Sequence, residues 1–213
     1  MNDTCLTTNI IREACVETLD QCIQAEQCGA DRLELCAELE TGGLTPSISL
    51  IQAVLEKVNI PVMVMIRPRA GDFCYTRQEI EQMEAALAEV KSTGVAGVVF
   101  GFLKKDFTVD EALTQRFAAL SAPLQVTFHK AVDETPDPVA ATECLAGIPG
   151  ITRILSSGGA ETALEGAETL RRMVQAAGSE LNIIAAGKVT EYNLEQIRTL
   201  TGAREYHGKR IVY

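Results

Sequence analysis

Apolar residues alternate between two patterns along the chain. Short apolar runs recur as IIREACV (10–16), RLELCA (32–37), VMVMIRP (62–68), GVVFG (97–101), LQVTFHK (124–130), RILSSG (153–158), NIIAAG (182–187) and REYHG (204–208). Each reads as a strand. The segments between them, LDQCIQAEQC, SISLIQAVLEKV, TRQEIEQMEAALAEVKST, DEALTQRFAAL, DPVAATECLAG, TALEGAETLRRMVQAA and EYNLEQIRTL, carry apolar residues three and four apart. That spacing marks a helix packing one face inward. Gly29, Gly94, Gly178 and Gly202 each follow a helical segment, where a left-handed cap is needed. Eight strands alternating with seven helices, with no linker or charge block between them, predict one parallel (β/α)8 barrel over 10–213 after a short tail, 1–9. The rival is an open doubly wound sheet, which ordinarily carries a Gly-rich turn after its first strand; CVETLD has none. Only KRIVY follows Gly208, so no full eighth outer helix is expected. A bare strand wall costs about 25 cal/mol per Å² in water. The tail, a partner subunit or both are expected to cover it, which points to a homodimer or higher homo-oligomer.

In a strand every second residue faces the same side, and a barrel gathers the carboxyl ends of all its strands at one face. Taken together, Glu13 and Cys15, Glu34 and Cys36, Arg67, Thr127 and His129, Ser157 or its neighbours, and Glu205 and His207 are expected there. His129 suits proton transfer near neutral pH, with Glu34 or Glu205 to orient it. Arg67 is the expected inward cation for an anionic substrate, supported by Arg69, which Asp72 would hold, and joined by Lys130. Internal ion pairing of Arg67 with Glu34 or Glu205 is the structural alternative. Gly158, Gly159, Gly187 and Lys188 lie where barrels often place a phosphate. Cys15 and Cys36 stand at the tips of adjacent strands, roughly 4.8 Å apart. Two thiolates so placed suit Cu(I), which favours sulfur and low coordination; small buried core residues are the competing reading.

Composition narrows the partners. The 213 residues carry a net charge of −10, which opposes nucleic acid and anionic membranes. Any bound anion must meet a local positive site. The seven cysteines form no C-x-x-C pair and are odd in number, against a zinc knuckle or a disulfide framework. Cys22, Cys28 and Cys144 fall on helical patterns, Cys5 in the tail, and Cys74 close enough to the arginine loop to line a pocket. The start, MNDTCLTTN, lacks a basic segment and an apolar core, and no apolar run reaches membrane-spanning length. A cytoplasmic setting with reduced thiols is expected.

GADRLELC, GGLTPS, MIRPRAGDFCY, GVVFG, VTFHKAVD, RILSSGG and EYHG resemble, in order from about residue 11 to 208, the sequence blocks of the CutC family, associated with copper homeostasis. The resemblance implies a cytosolic, oligomeric (β/α)8 barrel with a Cu(I)-binding role, its copper ligands being the cysteines at positions 15 and 36. Three departures stand out: Lys130 where the family usually has Arg, Ala70 where it has Gly, and AAGKV where the end of the seventh strand is usually Gly-rich. An enzyme acting on a small carboxylate or phosphate is the alternative.

Overall fold

A computed structural model describes residues 10–179 and 181–213; the expected tail, with Cys5, lies outside them. Eight strands, β1 (Ile11–Val16), β2 (Arg32–Leu35), β3 (Val62–Met65), β4 (Gly97–Phe100), β5 (Gln125–Phe128), β6 (Ile151–Ser156), β7 (Asn182–Ala185) and β8 (Glu205–Gly208), close in sequence order into a parallel barrel. Among the described residues seven helices surround it: α1 (Leu19–Gln27), α2 (Ile48–Leu55), α3 (Arg77–Ser92), α4 (Glu111–Ser121), α5 (Pro138–Ala146), α6 (Ala167–Ala177) and α7 (Leu194–Thr201). Among the described residues, the interval between α7 and α1 carries none. The architecture is the (β/α)8 barrel that the alternation predicts. None of the described helices is long and apolar enough to cross a membrane.

The strand pleat sorts side chains into two apolar populations. Outward residues such as Leu33, Val64, Phe100, Phe128, Ile154 and Tyr206 join the helices in one large buried cluster, which also takes in Ile211 and Val212. Inward residues form smaller patches, Cys15, Cys36, Met63, Met65 and Val99 on one side and Leu155, Ile184 and Ala186 on another. Most remaining inward positions are polar, and Gly97 and Gly101 leave room there for Met63 and His129. Helix starts are fixed locally: Thr76 accepts from the Glu79 amide while Glu79 reaches back to the Thr76 amide, and Asp137 caps a helix whose first residue is Pro138.

Several strands end before the apolar pattern does. β3 stops at Met65, although the run extends to Pro68. The Ile66 amide still donates to Val99 of β4, but at Arg67 the backbone turns to a loop: its amide donates to Thr45 Oγ1 and the Thr45 amide to its carbonyl. Arg67 is therefore a loop residue at the mouth, tied to the segment after β2.

Candidate functional site

The base of the barrel holds an ion-pair network. Arg32, on β2, is 4% exposed and donates to Glu13 on β1 and, at 2.5 Å, to Glu205 on β8. Glu205 also accepts from Arg153 at 3.1 Å, whose other end reaches Gln125. Burial alone would raise the Glu13 carboxyl; the Arg32 charge and the His207 contact overcome it and hold Glu13 at about 2. Glu205 is thus committed to two arginines at the opposite end from the mouth. It does not orient His129, as the sequence reading expected.

Above this layer sits a thiol–carboxyl–imidazole cluster. The register places Cys15 beside Glu34 and Glu13 beside His207. Cys15 Sγ donates to Glu34 Oε2 at 3.4 Å and Cys36 Sγ to the same oxygen at 3.6 Å. His207 spans two carboxylates, with Nδ1 2.9 Å from Glu13 Oε1 and Nε2 3.7 Å from Glu34 Oε2. Contact with the Cys36 thiol, aided by the His207 charge and opposed by burial, holds the Cys15 thiol well below its ordinary range. The same contact, with burial, pushes Cys36 up. Burial raises Glu34, against the pull of His207. Burial would lower His207, but the charges of Glu34 and Cys15 and its hydrogen bonds carry it well above its usual value. One sulfur is thereby biased towards thiolate beside a cation. The ligand atoms of Cys15, Glu34 and Cys36 all lie within 4.8 Å of one another, and those of Glu13, Glu34 and His207 form a second such set.

The other wall of the mouth carries Arg67, Phe73 and His129. Arg67 is 5% exposed, and its guanidinium donates to the carbonyls of Gly42, Gly43 and Gly71. It pairs with neither Glu34 nor Glu205, so the internal ion-pair alternative fails. Arg69 holds the loop from outside, bonded to Asp72 at 2.9 Å and Glu79 at 2.6 Å. The Phe73 ring lies under the Arg67 guanidinium at 4.8 Å and against the His129 ring at 4.7 Å. His129 Nδ1 accepts from the Ala131 amide at 3.2 Å, and its Nε2 has no partner. Glu34 does not bond to it either. Burial, then the Arg67 charge, depresses His129 to about 3. Its imidazole is neutral at physiological pH.

These walls enclose a cavity of about 150 Å³ lined by Cys15, Glu34, Arg67, Phe73, His129 and His207, among others, with Lys130 and Lys209 at its rim. A wider groove of about 490 Å³ adjoins it through Cys15, Lys130, His207 and Lys209 and continues to Gly187, Lys188 and Arg210. The late-strand loops differ from expectation. The amides of Ser157 and Gly159 are already taken by the Asp133 carboxylate, which also accepts from Lys130 Nζ at 2.7 Å and from Ser156 Oγ. An internal anion fills the place expected for a phosphate at Gly158 and Gly159. Lys188 bonds to Glu161.

The remaining described cysteines stand apart. Cys22 is buried and pushed up to about 12 by that burial, Cys28 is exposed at the end of α1, and Cys144 faces a groove between α4 and α5. Cys74 donates to the Lys104 carbonyl and does not line the mouth cavity. Arg32 and Arg153 were missed from the sequence, yet the alternation that turns Glu34 and Ser157 inward places them on the same faces. Asp133 had no such signal.

Comparison with known proteins agrees with the fold and with the sequence blocks. The sequence profile of the CutC family matches residues 10–212. A human copper homeostasis protein CutC homologue is 43% identical over 197 residues, covering 92% of this chain and 72% of the relative. A CutC family protein of Mesorhizobium japonicum is 41% identical over 195 residues, covering 92% and 75%. Among solved structures, a CutC protein of Streptococcus agalactiae superposes with a TM-score of 0.89 at 32% identity, covering 95% of this chain and 99% of that one. Dihydrodipicolinate synthase DapA-2 of Bacillus anthracis, at a TM-score of 0.66, 14% identity and coverage of 94% and 70%, shares the fold alone. A barrel built from these sequence blocks, matched over nearly its whole described length, belongs to the CutC family.

Proposed function

We propose that the chain is a cytoplasmic copper-homeostasis protein that takes up Cu(I) between Cys15 and Cys36. The observation that carries this reading is the pair of thiols converging on Glu34, with Cys15 and Glu34 lining a cavity at the mouth and Cys36 buried behind them. The donor set fits the ion. Two sulfurs satisfy a soft monovalent cation, and a buried carboxyl can shed its proton as the thiols shed theirs. Glu34 and His207 stand behind the sulfurs and set their protonation; the network under them keeps that layer fixed. Titration of reduced, anaerobic protein against a Cu(I) chelator should show uptake of one ion, and the Cys15→Ser, Cys36→Ser double variant should lose it. Retention of parental affinity by that variant would make both thiols plain core residues.

Assembly belongs to the same proposal. Among the described residues, none forms a helix on the side of the barrel between α7 and α1, and a second copy is the expected cover. Light scattering at low micromolar concentration should give at least a dimer mass; a strictly monomeric mass would remove the subunit from this role.

A further inference from the structure

Three buried polar atoms at the mouth cavity are left without partners: Arg67 Nε, His129 Nε2 and Glu34 Oε1. All three residues line the same cavity, which is open at the mouth. Buried polar groups are ordinarily paired, because an unmet donor or acceptor bears its full desolvation cost. The two on one wall are both donors. Arg67 has five N–H groups; three bonds go to the carbonyls of Gly42, Gly43 and Gly71, leaving two free, the Nε–H among them. His129 Nδ1 accepts from the Ala131 amide, so the neutral ring carries its proton on Nε2. The Tyr75 hydroxyl lies near the guanidinium without completing a hydrogen bond to it.

The surrounding chain is shaped to keep these donors in place. At Gly101 a Cβ would sit 2.5 Å from His129 Nδ1, and at Gly42, where φ is +96°, 2.9 Å from Arg67 Nη1. A larger residue at 101 would displace the His129 ring, and one at 42 would strain a left-handed backbone and push the Arg67 guanidinium aside. Phe73 fixes both from one face. Lys209 adds positive charge at the rim of a protein whose net charge is −10, whereas Lys130 there is paired with Asp133.

We propose that this cavity binds the oxyanion group of a small organic acid or phosphate, with its oxygens on Arg67 and His129 and a hydroxyl of the same molecule on Glu34 Oε1. A cavity of about 150 Å³ holds a compound on the order of six non-hydrogen atoms; anything longer extends into the adjoining groove towards Lys188 and Arg210. The site shares Glu34 and its Cys15 wall with the cysteine pair, but its two donors stand on the opposite wall. It gives the protein an organic or phosphate ligand beside its metal, and it stands or falls independently of copper uptake.

The probes are acetate, glycolate and inorganic phosphate at about 10 mM, above a millimolar Kd, with chloride balancing ionic strength. Isothermal titration should show binding of at least one probe. Arg67→Lys and His129→Gln should each weaken it by at least about tenfold, the scale of one lost charged hydrogen bond. Preference for glycolate over acetate would assign Glu34 its hydroxyl, and response to phosphate alone would make the natural ligand a phosphate. The chain has two histidines, so the imidazole resonances of the unaltered protein give a second reading that needs no variant: the His129 Nε2–H signal should move on binding. The proposal is overturned if no probe binds. It is equally overturned if probes bind with the His129 signal unmoved and the folded variants unaffected, which would place them on exposed lysines. Cu(I) uptake is read by the chelator titration, so failure of either result leaves the other standing.

Discussion

Arg32→Met is expected to destabilise the protein by about 3–5 kcal/mol, the scale of removing one partner from a buried ion pair. The guanidinium lies between Glu13 and Glu205, all three nearly inaccessible to solvent. Without it both carboxylates lose their main compensating charge in a poorly solvated layer. Glu205 keeps Arg153 and Glu13 keeps His207, so the loss is that of one partner and not of the whole network. Adding Glu205→Gln to Arg32→Met is expected to recover part of the loss, because neutralising a stranded carboxylate removes its desolvation cost; contacting residues are non-additive in this way. Urea unfolding of the parent and both variants reads this directly. A single-variant loss below about 1 kcal/mol, the scale of an exposed pair, would show that water or rearrangement satisfies the carboxylates.

His129 should make stability depend on pH on the acid side of neutrality. Its folded value is depressed from 6.5 to about 3 by burial and by Arg67. Below 6.5 the unfolded chain gains a proton that the folded chain refuses, so the contribution is complete above 6.5 and is lost as pH falls towards 3. Between pH 6.5 and 5 this amounts to roughly 2 kcal/mol. Glu34, raised by burial, runs the other way across the same window. His207, also raised, contributes stability that is complete below 6.5 and is lost at higher pH. The His129 effect is therefore isolated as a difference: the stability gap between parent and His129→Gln should change by that amount from pH 6.5 to 5. A constant gap would mean that His129 takes up its proton in the folded protein.

Much of this was legible in the chain, and the parts that were not share a cause. The alternation placed Glu13, Cys15, Glu34, Cys36, His129 and His207 on inward faces, and all of them lie inside the barrel. Depth was harder to read. Glu205 and His207 share a face but differ by two residues, roughly 7 Å along a strand, enough to put one with the basal arginines and the other at the thiols. Loop closure was not readable at all. Asp133 lies in the short 3-10 turn Lys130–Glu134, and nothing in its neighbourhood along the chain announces that it will satisfy amides after β6. The expected phosphate loop failed for that reason. Arg67 was correctly turned inward, but its partners are three carbonyls, including Gly42 and Gly43, whose positions depend on how the loop after β2 folds.

The central claim is that Cys15 and Cys36 together hold Cu(I), and the ligand atoms around the bound ion test it most directly. X-ray absorption at the copper edge, on reduced protein loaded with one equivalent, should show a monovalent ion with two sulfur neighbours, both absent from the Cys15→Ser, Cys36→Ser variant. A copper environment of nitrogen and oxygen alone, or a sulfur count unchanged in that variant, would contradict it.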